Sequence, residues 1–302
     1  MLAPDSDLLF TFGGSQYPEG ASVAELWVFD FTSDVWTEVS APGAPAPRYC
    51  YCATYLPEQR ELLIVGGRDD AGPLRPAAWT LDIVGGRWLP IGGTLPAGVT
   101  GCGAAWMPTM PGGGRAIVFG GGARTYDRRT YAYDPVDRSF SIVATASTAP
   151  PGRQDAMMTF DPGDGGRVLV FGGASRVFPP DEAEPLDDMW SFDGVQWREL
   201  PRDGPRPAPR RFSADAFDPE RREWVLVGGT REVADFDDVW LFDASTDRWT
   251  ELTPAAPNGA PAARGFAGLG HDRVAGGYRL FGGLQQPDFR APTDGWLLEL
   301  RP

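Results

Sequence analysis

The chain has 302 residues, with 27 basic residues that are all arginine, 41 acidic residues and one histidine, for a formal net charge of −14. That balance disfavours generic binding to nucleic acid or anionic membranes, which need a positive field. The absence of lysine removes Schiff-base chemistry, and the single histidine, His271, removes any multi-histidine metal site. Glycine (39) and proline (30) are far above average usage, so turns should be many and long helices few.

In chain order, a β-type run ending in Gly-Gly occurs six times, with first glycines at 13, 66, 120, 172, 228 and 282. The spacings are 53, 54, 52, 56 and 54 residues, and self-similarity at that period signals a repeat architecture. After each pair come a variable loop and a short strand with an aromatic, an apolar residue and an acid: Trp27-Val-Phe29-Asp30, Trp79-Thr-Leu81-Asp82, Tyr131-Ala-Tyr133-Asp134, Trp190-Ser-Phe192-Asp193, Trp240-Leu-Phe242-Asp243 and Trp296-Leu-Leu298-Glu299. A second aromatic then opens another strand at Trp36, Trp88, Phe140, Trp197 and Trp249. Each unit thus holds four short strands, a to d, and its two aromatics are apolar plugs for stacking one sheet on the next.

This pattern resembles the kelch repeat family. The carriers are the six Gly-Gly pairs, the Trp-x-Phe-Asp strands, the Trp249-Thr-Glu-Leu252 type of strand, and the Pro-Arg that opens strand a at Pro47-Arg48 and Pro209-Arg210, with looser forms at Arg153 and Arg264. The resemblance implies an all-β, six-bladed β-propeller. It departs where family members often carry a histidine three residues after that arginine, for here stand Tyr51, Ala156, Ser213 and Ala267. The expected organisation is a single domain over 1–302, with units at about 8–40, 48–92, 100–144, 153–201, 210–253 and 264–300. The first unit begins at strand b and the last ends at strand c, so the first and last blades are each expected to be three-stranded, with unpaired edges open to self-association.

The b–c loops (15–25, 68–76, 123–129, 174–188, 230–238, 284–295) and the Pro- and Ala-rich d–a segments are long, whereas a–b and c–d turns are short. Function is expected on the long-loop face, which is also where the resemblance places partners. The ligand-binding candidates there are Arg48, Arg68, Arg124, Arg176, Arg210, Arg231 and Arg264 with Tyr126 and Phe236, because arginines converging in an acidic molecule read carboxylate or phosphate. The alternative is that each strand-a arginine bonds carbonyls or acids of its own repeat. Tyr17, Phe178 and Phe289 lie in the same loops as recognition aromatics or anchors.

Weaker catalytic candidates are Asp155 and Asp215 in strand-a runs, and Cys50 and Cys102, placed two residues after the equivalent positions Arg48 and Thr100. Inert core cysteines and arginine-paired aspartates are the competing readings. The acidic run from Asp181 to Asp188 lacks regular calcium-ligand spacing and reads as a solvated loop. Asp188 and Asp238 read as loop-closing acceptors, and His271 as a turn residue.

Three cysteines form no disulfide framework, the N-terminus has no basic and apolar leader, and no apolar run reaches spanning length, so a soluble, cytoplasmic chain is expected. The lysine-free composition suits a GC-rich bacterial genome. Two functions are compatible with the whole. One is a binding module presenting arginine and aromatic loops to a protein, a peptide or an anionic small molecule. The other is a metal-independent enzyme of isomerase or mutarotase, lyase or cyclase type, working on an anion with Arg and Asp. Copper oxidases of the galactose oxidase type and iron-dependent plant specifier proteins need histidine ligands that are absent here, whereas a sialic-acid mutarotase-like activity does not. No cofactor, metal, nucleic-acid or membrane partner is expected.

Overall fold

The computed structural model describes residues 2–3, 7–16, 20–74, 78–92, 95, 99–122, 126–144, 149–175, 184–232, 234–252 and 260–300. It divides into two compact units, Met1–Gln154 and Asp155–Pro302. Among the described residues the regular structure is β, apart from one short 3-10 turn, and no helix is long and apolar enough to cross a membrane.

The first unit holds three antiparallel sheets in chain order. One is β1 (Leu2–Ala3), β2 (Leu8–Ser15), β3 (Ser22–Asp30) and β4 (Val35–Glu38). The next is β5 (Tyr49–Leu56), β6 (Glu61–Asp69), β8 (Ala78–Asp82) and β9 (Arg87–Ile91), with β7 (Gly72–Pro73) folded back on β6. The third is β10 (Cys102–Met107), β11 (Arg115–Gly120), β12 (Thr130–Asp134) and β13 (Ser139–Ala144).

The second unit repeats the plan. Its sheets are β14 (Met157–Asp161), β15 (Arg167–Phe171), β16 (Met189–Phe192) and β17 (Trp197–Glu199); then β18 (Ala214–Asp218), β19 (Glu223–Val227), β22 (Val239–Asp243) and β23 (Arg248–Leu252); then β24 (Gly268–Asp272), β25 (Gly277–Phe281) and β26 (Gly295–Leu298). A small hairpin, β20 (Thr230–Arg231) with β21 (Ala234–Asp235), stands in the b–c loop of the middle sheet.

These are the six blades expected, with one correction. The first sheet has a strand a after all: β1 pairs with β2 through Leu2↔Leu9 and Ala3↔Leu8, so that blade is four-stranded. A two-residue strand carries no periodicity to read. The last sheet has three strands among the described residues.

The Gly-Gly signature has a specific cause. Gly120 has φ of 76°, and a Cβ there would lie 2.6 Å from the carbonyl oxygen of Arg153. Only glycine takes both the left-handed backbone and the close approach. The second glycine then donates its N–H to the chain that opens the next repeat: Gly14 to Arg48 O (2.9 Å), Gly67 to Val99 O (2.9 Å), Gly121 to Arg153 O (2.7 Å), Gly173 to Arg210 O (2.9 Å) and Gly229 to Arg264 O (2.9 Å). The series corrects the register in the third blade. Val99, not Thr100, stands where the other blades carry arginine, so Cys102 is equivalent to Tyr51 and Cys50 to Gly101.

The strand-d aromatics seal neighbouring sheets. The Trp88 ring lies 4.8 Å from that of Phe12, and Trp249 lies 4.9 Å from Phe171. The strand-c tryptophans do less: Trp27, Trp79, Trp190 and Trp296 are half-buried. The acid that ends strand c closes the following turn by accepting backbone N–H groups, as Asp30 does from Thr32 (2.8 Å) and Asp193 from Val195 (2.8 Å). His271 also needs correcting. It sits inside β24, buried, with its ring stacked 5.1 Å from Tyr278 rather than in a turn.

The first unit carries a covalent link that sequence reasoning missed. Cys52 on β5 and Cys102 on β10 form a disulfide, with Cα atoms 5.3 Å apart, tying strand a of the second sheet to strand a of the third. Cys50 is outside it.

Candidate functional site

The strand-a arginines lie beneath the loops rather than on them. Arg48, Arg153, Arg210 and Arg264 are at most 2% exposed. Each guanidinium turns back onto its own chain two residues earlier: Arg48 Nε donates to Ala46 O (3.1 Å), Arg153 to Pro151 O (3.2 Å), Arg210 to Ala208 O (3.0 Å) and Arg264 to Ala262 O (3.0 Å). An Nη1 group also donates to the first Gly-Gly carbonyl of the blade, at Gly66 (3.0 Å), Gly228 (2.9 Å) and Gly282 (3.1 Å).

In the second unit a carboxylate completes the brace. Arg210 grips Asp238 with both Nη atoms (2.6 and 2.7 Å), and Asp238 also accepts the Trp240 indole N–H (2.8 Å). Arg264, Asp294 and Trp296 repeat the arrangement at 2.7, 2.9 and 2.6 Å. The bidentate Arg264 guanidinium, seconded by that indole, holds the Asp294 carboxyl down to about 2. Asp188 likewise accepts from Trp190 (2.7 Å). Of the two readings weighed for the repeated arginines, bonding within the repeat is the one these distances describe.

The remaining candidates divide by exposure. Arg68 and Arg231 reach solvent, the former 5.7 Å from the Tyr49 ring and the latter in the β20–β21 hairpin. Phe236 is half-buried beneath Arg210, whose Cζ is 3.9 Å from the ring centre. Tyr126 is half-buried, and Phe289 is 43% exposed. Arg124, Arg176, Tyr17, Phe178 and the start of the acidic run at Asp181 lie outside the described residues. Among the described residues no group of three or more His, Cys, Asp or Glu is arranged to hold a metal ion.

The catalytic candidates do not assemble. Cys102 has no thiol, because its sulfur is bonded to Cys52. Asp215 accepts the Trp224 indole N–H (2.8 Å) rather than pairing with an arginine, and burial raises its carboxyl to about 6. Asp155 does face an arginine, but the neighbour is Arg211, 3.8 Å away, which is too long for a hydrogen bond. With its side chain 9% exposed, burial pushes Asp155 up to about 7 against the pull of Arg211.

This shift makes a pH prediction. A carboxyl raised from about 4 in the unfolded chain to about 7 favours folding fully only below the unfolded value, and that contribution is lost as pH rises through 7. Asp155→Asn is therefore expected to exceed wild type in stability by about 2–4 kcal/mol at pH 8 and to match it near pH 4. Urea unfolding at the two pH values checks this; equal stabilities at pH 8 would refute it.

Asp155 also occupies a repeated position that the sequence does not advertise. Two residues after the strand-a arginine, or its equivalent Val99, the backbone is left-handed in each of five blades: Cys50 (φ 54°), Gly101 (65°), Asp155 (58°), Phe212 (56°) and Phe266 (60°). Successive members bond through their backbones, Gly101 N to Cys50 O (2.7 Å) in the first unit, then Phe212 N to Asp155 O (3.4 Å) and Phe266 N to Phe212 O (2.9 Å) in the second. The signal available in sequence was only the two-residue offset from arginine.

Repeated four-stranded blades, glycine hinges and internal arginine braces define the class: a six-bladed β-propeller of the kelch type. Residues 89–283 match the family model described as the KLHDC2/KLHL20/DRC7 Kelch-repeats domain, and the chain belongs to the kelch-repeat family. It is 26% identical over 296 residues to the rat multiple epidermal growth factor-like domains protein 8, covering 92% of this chain and 10% of that protein. It is 32% identical over 121 residues to dynein regulatory complex subunit 7 of Chlamydomonas reinhardtii, covering 39% of this chain and 10% of that protein. It is 26% identical over 166 residues to the flagellar outer-arm dynein alpha chain of the same alga, covering 50% of this chain and 3% of that protein. The chain thus corresponds to a tenth or less of these curated relatives.

Proposed function

We propose that the chain is a protein-binding module whose partner meets the long-loop ends of the blades. Membership of the kelch family supports the general role. The observation that carries the siting is the contrast among the arginines: the repeated ones are buried in braces, whereas Arg68 and Arg231, which belong to no repeat, stand exposed on b–c hairpins. Buried braces hold the loops rigid, and exposed cations beside aromatic rings are what partner surfaces use. Among the described residues no arrangement of nucleophile, base or paired acids favours the enzyme reading.

The test is to select peptides from a random displayed library against the wild-type chain and titrate them against variants. Arg231→Glu or Arg68→Glu is expected to weaken the selected peptides about tenfold or more, because reversing an interfacial charge costs 1.4 kcal/mol or more. Val136→Asp, in an exposed c–d turn, is expected to leave them unchanged. Loss at Val136 with retention in both arginine variants would place the partner on the short turns and overturn the reading.

A further inference from the structure

Arg211 breaks the repeat. Its equivalents in other blades are Tyr49, Thr100, Gln154 and Gly265, so no brace requires it. Its guanidinium lies 4.9 Å from the centre of the Phe212 ring, and its buried Nε has no hydrogen-bond acceptor among the described residues. The nearest carboxylate, Asp155, is at 3.8 Å, and the side chain remains 22% exposed. A half-buried guanidinium with an unanswered donor is costly, and the braced arginines of this chain avoid that state.

The surroundings are equally particular. Phe212 and Phe266 stack with ring centres 3.9 Å apart, and Phe266 is 44% exposed. Both hold φ near +60°, where bulky residues are rare and strained. Two strained phenylalanines, one of them exposed, are not what a scaffold needs at a position filled elsewhere by cysteine, glycine and aspartate. Together they form an apolar ledge beside a cation that lacks an acceptor.

We propose that Asp155, Arg211, Phe212 and Phe266 form a binding site for a carboxylate carried on a flat apolar body. The Arg211 fork takes the carboxylate oxygens, answering Nε, and the apolar body lies on the exposed face of Phe266. Asp155 limits the site to one anion: neutral, it donates its proton to the incoming carboxylate, and ionised, it competes for Arg211. The inference rests on the loop-end reading above and specifies the ligand chemistry of one part of it.

The probe is benzoate, titrated into the full chain by calorimetry, with benzamide as the uncharged isostere. Saturable binding with Kd of about 1 mM is expected, as suits a ligand of that size. Arg211→Gln and benzamide should each weaken it about tenfold or more, and Phe266→Gly severalfold. Phe266→Gly relieves the left-handed backbone, so it serves as the test if Arg211→Gln does not fold. Absence of saturable binding, equal affinity for benzamide, or undiminished binding in folded Arg211→Gln or Phe266→Gly would overturn the proposal. Competition assigns the source: displacement of the selected peptides by benzoate means that a partner supplies the carboxylate, and simultaneous binding means that a free acid does. If benzoate fails while Arg231→Glu still weakens the peptides, this site falls and the loop-end reading stands.

Discussion

Arg210→Met is expected to lower the unfolding free energy by about 3–5 kcal/mol, the usual cost of removing one partner from a buried ion pair. The guanidinium is 1% exposed and donates to Ala208 O, Gly228 O and both oxygens of Asp238. Methionine fills much of the volume but removes the guanidinium that neutralises Asp238, leaving that carboxylate the Trp240 indole N–H and Gly228 O the Ser213 hydroxyl, while Ala208 O loses the Arg210 Nε donor. Arg231→Ala, on the exposed hairpin, should stay within about 0.5 kcal/mol of wild type. Urea denaturation at neutral pH compares the two, and a loss below about 1 kcal/mol for Arg210→Met would mean that the brace is not structural. The third blade shows which half of the device is dispensable. Val99 stands in for arginine there, yet Gly67 N still reaches Val99 O at 2.9 Å. The backbone bond survives without the arginine side chain because only main-chain atoms make it.

The second large effect is the disulfide. Opening Cys52–Cys102 with a reductant, or replacing both residues by alanine, frees a loop of 50 residues in the unfolded chain. Chain entropy for a loop of that size amounts to about 4 kcal/mol, so the melting temperature should fall by several degrees. The expected thiol titre of denatured protein is one per chain, from Cys50; a titre of three would contradict the link. A structural disulfide persists chiefly in oxidising compartments, so it disfavours the cytoplasmic location expected from the low cysteine count.

The repeat was legible because its physics recurs: glycine at every left-handed close approach, tryptophan between sheets, and acids at every c–d turn. What was not legible breaks the period. Cys50 and Cys102 lie 52 residues apart and were aligned with one another, but the extra offset at Val99 makes Cys50 equivalent to Gly101 and sets Cys102 against Cys52. The two-residue β1 is below any periodic signal, and His271 was misplaced because Gly268–Asp272 reads as turn-like although it pairs across to β25. The arginines looked alike in sequence. The fold separates Arg210, whose Nε, Nη1 and Nη2 all donate, from Arg211, one residue later, whose Nε has no acceptor among the described residues. An aromatic at a left-handed position likewise has no sequence signature.

The central claim is that repeated residues build the scaffold while recognition falls to residues outside the repeat at the loop ends. Amide hydrogen exchange with and without a selected peptide measures this most directly. Protection is predicted at 210–213, 230–232, 234–236 and 265–267 in the second unit. Protection confined to the short turns at 193–196, 243–247 and 272–276 would contradict it.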